Sequence, residues 1–293
     1  MEKLKKNNFN RVVILGGGFI GSSLKKTLDR NSIRNILITR KNVDFRDKKK
    51  THAYLERKVK KSDTIFFVAS VAPVKTMEMF ISNLKIIESI CDFFKNFNVY
   101  HFINVSSDAV YFDSKQKINE NFRREPESLH GQMHLLRENY LSSSLSIPIT
   151  NIRPTLIFGY EDPHNGYGPN SFFRKILRNE NISLFGNGEE LRDHVYIDDV
   201  INIIIILIKR KILGTFNIVT GEIISFYDIA TIIRKSLKKN IEIIKTKRVG
   251  IVPHNGYRAL KNQLLLSKIG EYKFTNIELG IKKMYKKFKL EKD

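Results

Sequence analysis

Short apolar runs alternate with helical segments, and a glycine cluster separates the first run from the first helix; together these predict an α/β protein built on a doubly wound parallel sheet. The runs lack the polar alternation of a half-exposed sheet, as expected of strands covered on both faces. Past residue 155 Gly, Pro and Asn become frequent and the elements shorten, which predicts a smaller second region. In order, Val12–Leu15 is the first strand and Ile20–Arg30 the first helix. Asn35–Thr39 and Thr64–Ala69 are the next strands, before a helix over Met77–Asn96. Val99–Val105 and Pro148–Ile152 are further strands, with a helix over Gly131–Ser142 between them. Residues 1–155 form the expected first domain, with 194–218 returning to it; 156–193 and 219–293 form the smaller one.

Composition narrows the class. A chain of 293 residues with 42% hydrophobic content buries a substantial core. The longest apolar run, Ile201–Ile208, falls far short of the roughly 20 residues that span a bilayer and follows Asp198-Asp199, so it reads as a buried helix. The basic N-terminus leads straight into a strand without the pattern of a secretory signal, and Cys91 is the only cysteine; both point to the cytoplasm. The formal charge of +21 would attract nucleic acid, an acidic membrane or an anionic small substrate. The basic residues are dispersed, without a stripe interleaved by stacking aromatics, so no specific nucleic-acid partner is expected.

Gly16-Gly17-Gly18-Phe19-Ile20-Gly21 has the spacing G-x-G-x-x-G, directly after a strand and at the start of a helix. Gly16 allows the tight turn, Gly18 lets the backbone approach a pyrophosphate, and Gly21 lets the helix pack on the strand. The amides of the first helical turn, at Phe19 and Ile20, then face the phosphates. The second strand ends Ile38-Thr39-Arg40-Lys41, with no acid before Asp44. A hydroxyl and two cations suit a ribose 2′-phosphate better than free ribose hydroxyls, so NADP(H) is expected over NAD(H).

Several ordered segments resemble the extended short-chain dehydrogenase/reductases. Asp44-Phe45-Arg46-Asp47 is similar to the family's acidic segment near the adenine, and Ala69 stands at its small strand-end position beside the cofactor. Asn83 resembles its Asn in the following helix. Asn104–Tyr111 (NVSSDAVY) resembles the active-site strand, and Arg153-Pro154 the segment that passes the nicotinamide. Phe185–Glu189 followed by Arg192–Val200 is similar to G-x-G-x-x-x-R-D-x-x-x-V-x-D-V. The resemblance implies a Rossmann-type core, a smaller C-terminal substrate-binding domain, and a nucleoside-diphosphate sugar as substrate, with surface polysaccharide as the setting. It implies diphosphate contacts from Arg192 and Arg258, with an amide from Asn170, although Arg192 beside Asp193 also reads as a simple salt bridge. A homodimer through the helices around Met77–Asn96 and Gly131–Ser142 follows from the same habit.

One departure is central. The family's chemistry rests on Tyr-x-x-x-Lys, whereas the matching segment here is Leu129-His130-Gly131-Gln132-Met133-His134-Leu135-Leu136-Arg137-Glu138. Gly131, Leu135 and Glu138 fix the register, placing His130 at the Tyr position and His134 at the Lys position. Three readings stand. His130 replaces Tyr as the proton carrier, an imidazole needing no cation to work near neutrality, with His134 on the ribose. The chain binds cofactor and sugar without turnover. Or the two histidines chelate a metal, for which no Glu of H-E-x-x-H and no third ligand is visible, so no metal is expected. Ser107, at the position that hydrogen-bonds the reacting oxygen, and Asp108, at the dehydratase acid's position, favour catalysis. Ala109 in place of that acid's Glu neighbour argues against dehydration and leaves epimerisation or reduction.

Overall fold

The computed structural model describes residues 11–250 and 252–291. The strands and helices, in chain order, are β1 (Val12–Leu15), α1 (Phe19–Arg30), β2 (Asn35–Ile38), α2 (Lys48–Lys58), β3 (Thr64–Phe67), α3 (Met77–Lys95), β4 (His101–Val105), α4 (Leu129–Ser144) and β5 (Ile149–Pro154). There follow β6 (Leu156–Phe158), α5 (Pro169–Leu177), β7 (Ile182–Phe185), β8 (Leu191–Arg192), β9 (His194–Tyr196), α6 (Ile197–Arg210) and β10 (Gly214–Ile218). The last are β11 (Ile224–Ser225), α7 (Phe226–Ser236), β12 (Ile243–Thr246), β13 (Tyr257–Arg258), α8 (Gln263–Ile269) and α9 (Ile277–Leu290).

The main sheet has six strands in the order β10-β5-β4-β3-β1-β2, and the pairs from β2 to β5 are parallel. From β1 the chain goes first to β2 on one side and then to β3 on the other. That reversal puts a topological switch point between β1 and β3, where ligands of open α/β sheets bind. β1, β3 and β4 are buried along their whole length, which is why their sequences read as uninterrupted apolar runs. Within this interior Asn104 Nδ2 donates to Asn151 Oδ1 at 2.9 Å, across registered positions of β4 and β5.

The chain divides into two compact units. One runs to Phe112 and adds Asn121–Pro154 and Ile201–Phe216; the other comprises Asp113–Glu120, Thr155–Val200 and the chain from Asn217 on. Asp113–Glu120, expected with the first domain, belongs to the second unit, where Ile118 bridges Leu260. The second unit carries a three-stranded sheet, β11-β8-β13, and the parallel pairs β12-β7 and β6-β9. In it, Asp199 accepts from the Thr275 N–H at 2.7 Å and from the Tyr272 hydroxyl at 3.0 Å.

Ile201–Ile208 lies in α6 as a buried helix, with Asp198 and Asp199 in its first turn. Among the described residues no helix is long and apolar enough to cross a membrane. α2 goes unannounced in the sequence because only Thr51 and Leu55 of its residues are buried, too few for a periodic signal. It is set instead by the Asp47 cap, which accepts from the Lys50 N–H, and by His52 Nε2 on the Ser89 carbonyl at 2.9 Å.

Candidate active site

The glycine turn joins β1 to α1 at the switch point. Gly16 has φ +120°, and a Cβ on it would lie 2.6 Å from the Ala69 nitrogen, so only glycine lets the ends of β1 and β3 approach this closely. A Cβ on Gly21 would overlap the Gly16 carbonyl oxygen, which fixes how tightly α1 packs. Gly18 behaves differently. It caps α1 without a side chain, and a Cβ on it would meet no protein atom within 4 Å. The open approach to the amides of Phe19 and Ile20, at the positive end of a 12-residue helix, fits the pyrophosphate of a dinucleotide.

Beyond β2, Thr39 is tied into a turn by its N–H and hydroxyl, which donate to Asn42 Oδ1 at 2.9 and 3.1 Å. Arg40 and Lys41 are exposed, and Arg40 Nε lies 3.5 Å from the Asp44 carboxylate. Asp44 is already engaged: Arg46 donates to it from its backbone and its guanidinium, which holds the carboxyl down to about 2. On the other side Ala69 donates its N–H to the Leu15 carbonyl at 2.7 Å. Asn83 anchors the loop that follows, accepting from the Val71 N–H and donating to the Val71 and Met79 carbonyls, all at 2.8–2.9 Å. Pro154 closes β5 and is buried.

After β4 the chain turns through Ser107-Asp108-Ala109-Val110. Ser107 Oγ accepts from the Ala109 N–H at 3.1 Å and donates to Asp108 Oδ1 at 3.4 Å. The first turn of α4 abuts this segment because residue 131 is glycine; a Cβ there would overlap the Ala109 carbonyl oxygen. His130 is thereby held at the same turn, its Nδ1 accepting a long bond from the Val74 N–H at 3.4 Å. Burial pushes the His130 imidazole below its ordinary value; the Asp108 carboxylate opposes the shift and Arg137 adds to it. His134 lies one helical turn on, its ring 4.6 Å from that of His130 and nearly perpendicular. It is 5% exposed, its Nδ1 has no hydrogen-bond partner, and burial keeps it uncharged. Among the described residues no group of three or more His, Cys, Asp or Glu side chains is placed to hold a metal ion.

In the second unit Arg192 and Arg258 occupy registered positions of the parallel strands β8 and β13, so the two buried guanidinium groups rise from one face of the sheet. Arg192 pairs with Glu190 at 2.7 Å and donates to the Pro253 carbonyl; Arg258 pairs with Asp113 at 2.9 Å. Among the described ion pairs Arg192 is held by Glu190 rather than by its neighbour Asp193. Neighbours in an extended strand point to opposite faces, and Asp193 instead accepts from the Thr220 N–H and hydroxyl and the Gly221 N–H. Asn170 is buried in a loop lock, its Oδ1 accepting from the Gly159 N–H at 3.0 Å and its amide donating to Asp162. Its evident task is to shape the loop after β6.

Residues 12–218 match the sequence profile described as the NAD dependent epimerase/dehydratase family. The chain belongs to that family. The dTDP-D-glucose 4,6-dehydratase of Dictyostelium discoideum is 30% identical over 162 residues, 46% of this chain and only 35% of that protein. An uncharacterized UDP-glucose epimerase of Bacillus subtilis is 24% identical over 244 residues, 79% of this chain and 76% of that one. In the solved structures, the UDP-glucose 4-epimerase of Thermotoga maritima with UDP-glucose superposes with a TM-score of 0.82 at 20% identity, covering 96% of this chain and 100% of that one. At that identity the likeness is one of fold.

Within this family member the sequence left two groups of residues unnoticed. Glu190 and Asp113 are the counter-charges of the buried arginines, and Arg248 also reaches Glu190. Arg137 lies buried in α4 and donates to the Ala69 and Val105 carbonyls. Its signal was present: it stands seven residues beyond His130, on the same helical face.

Proposed function

We propose that the protein is a nucleoside-diphosphate-sugar epimerase that uses NADP(H), with His130 in the role of the family's tyrosine. One observation carries this reading: a mostly buried imidazole, its basicity lowered by burial with the Asp108 carboxylate opposing that shift, precedes the glycine that packs α4 on the turn after β4. A neutral imidazole is a base of suitable strength near pH 7, whereas a tyrosine, with an ordinary value near 10, needs a neighbouring cation to be one. The arrangement therefore has no need of a lysine at residue 134.

A bound nicotinamide cofactor would supply reversible hydride acceptance at a sugar carbon. The glycine turn and the first amides of α1 would hold its pyrophosphate. Arg40 and Lys41 offer two cations to a 2′-phosphate, while Asp44, already paired, offers little to free ribose hydroxyls. His130 would take the proton of the sugar hydroxyl at Nδ1, giving up its long contact with the Val74 N–H, and Ser107 Oγ would hydrogen-bond the same oxygen. His130 would then return the proton to the oxygen, and reduction of the opposite face of the carbonyl would give the epimer. In the second unit Arg192 and Arg258 suit the substrate diphosphate, their carboxylate partners keeping both guanidinium groups oriented. Net reduction of a keto-sugar is the second reading, favoured by the NADPH-type end of β2.

The test is incubation of wild type and His130→Ala with UDP-sugars and either cofactor, following epimer by chromatography and binding by calorimetry. Turnover in wild type falls at least 100-fold in the variant with sugar affinity kept. Full activity in His130→Ala refutes the proton role, and tight binding without turnover in wild type means a binding protein. Tighter binding of NADH than NADPH overturns the cofactor preference.

A further inference from the structure

The guanidinium of Arg137 is 1% exposed, yet among the described residues no carboxylate pairs with it. Its neighbour Glu138 is taken by Arg153, which donates to both carboxylate oxygens at 2.8 and 2.5 Å. Arg137 instead donates from Nη1 to the Ala69 carbonyl at 3.1 Å and from Nη2 to the Val105 carbonyl, and lies 4.5 Å over the Phe67 ring. These carbonyls are not arbitrary. Ala69 is the residue against which Gly16 packs, and Val105 is the last residue of β4, two before Ser107. One side chain thus ties the strand end at the cofactor turn to the strand end that carries the catalytic turn. His130, His134 and Arg137 lie at i, i+4 and i+7, on one face of α4.

We infer that Arg137 is a positioning residue for the proton chemistry: its buried cation joins the ends of β3 and β4 on the face of α4 that carries both imidazoles. The inference rests on the proposed role of His130. Burial does most to disfavour protonation of the two rings, and a cation on the same helix face, screened neither by solvent nor by a direct counter-ion, adds to that cost. The other groups facing His130 are the Asp108 carboxylate, which acts in the opposite sense, and His134. Those acting on Arg137 are Cys91 from α3 and Glu138, and burial brings Arg137 itself down to about 10, still charged near neutrality. The positive charge that the family's motif puts at residue 134 thus lies one turn further along the helix, where it favours a neutral base.

The test is an NMR titration of the histidine imidazoles in the full-length protein, beside the pH dependence of turnover, for wild type, Arg137→Lys and Arg137→Met. In wild type His130 titrates below 6.5. In Arg137→Met its midpoint and the acidic limb of the rate profile rise together, by about half a unit or more. In Arg137→Lys the midpoint stays near wild type while kcat falls, because one ammonium cannot reproduce the planar two-carbonyl clamp. An unchanged His130 midpoint in Arg137→Met, or a wild-type midpoint at or above 6.5, overturns the inference; the second reading decides it even if the Met variant does not fold. The titration needs no substrate. A shifted midpoint in a protein without turnover would refute the proposed function and leave the electrostatic role of Arg137 standing.

Discussion

Gly18 separates cofactor binding from folding. Its φ of −72° is open to any residue, and a methyl group there meets no protein atom within 4 Å. Gly18→Ala therefore costs the free protein no more than the difference between Gly and Ala at a helix cap, about 1 kcal/mol or less. For a chain of this size that is a loss of roughly 2–4 °C in Tm. In the complex the same methyl group stands where the pyrophosphate must approach the α1 amides. Losing one hydrogen bond to a charged group costs about 1.5–3 kcal/mol, a rise in Kd of roughly 10- to 150-fold. Gly16→Ala is the contrasting variant: its φ of +120° and the 2.6 Å approach to Ala69 damage the fold itself. Backbone strain and overpacking there sum to several kcal/mol, or on the order of 10 °C in Tm. NAD(P)H fluorescence titration and thermal unfolding of both variants read the two effects separately. If Gly18→Ala is folded and binds cofactor as tightly as wild type, the pyrophosphate does not lie on this helix end.

Two further outcomes are expected. Gly131→Ala forces α4 away from the Ala109 carbonyl and moves His130 relative to Ser107 by on the order of 1 Å, which lowers kcat about 100-fold with cofactor Kd unchanged; equal turnover would show that this contact does not position the base. Stability falls in mild acid, because burial holds His101 down to about 4 and His194 down to about 3 while the unfolded chain titrates both near 6.5. Their contribution is complete above pH 6.5 and is lost as pH falls toward those values, so by pH 5 about 2 kcal/mol per histidine is gone. Thermal unfolding at constant ionic strength checks this: Tm drops by roughly 10 °C between pH 7 and pH 5, and a flat profile refutes it.

The glycine turn, the buried strands and the Ile-rich helix were legible in the sequence because each depends on neighbours within a few residues. Only glycine tolerates the turn at residue 16, continuous apolar runs mean strands buried on both faces, and the apolar run of helix α6 is preceded by the acids of its first turn. The helix that carries His130, Gly131 and Glu138 was legible as well, since it too is a local pattern. Helix α2 was not, because its stability comes from a cap and a contact with α3 rather than from an apolar stripe. What charged side chains do was legible least of all. A sequence shows Arg192 beside Asp193, but the pleat sends them to opposite faces, and their partners lie at Glu190, Thr220 and Gly221. Asn170 reads as a free amide until the loop folds and Asp162 takes it. Arg137 reads as one more lysine-or-arginine in a chain of charge +21, and only burial against two strand ends 32 and 68 residues away makes it the cation of the site. Local backbone geometry is encoded locally; desolvation and ion pairing depend on what the tertiary fold brings alongside.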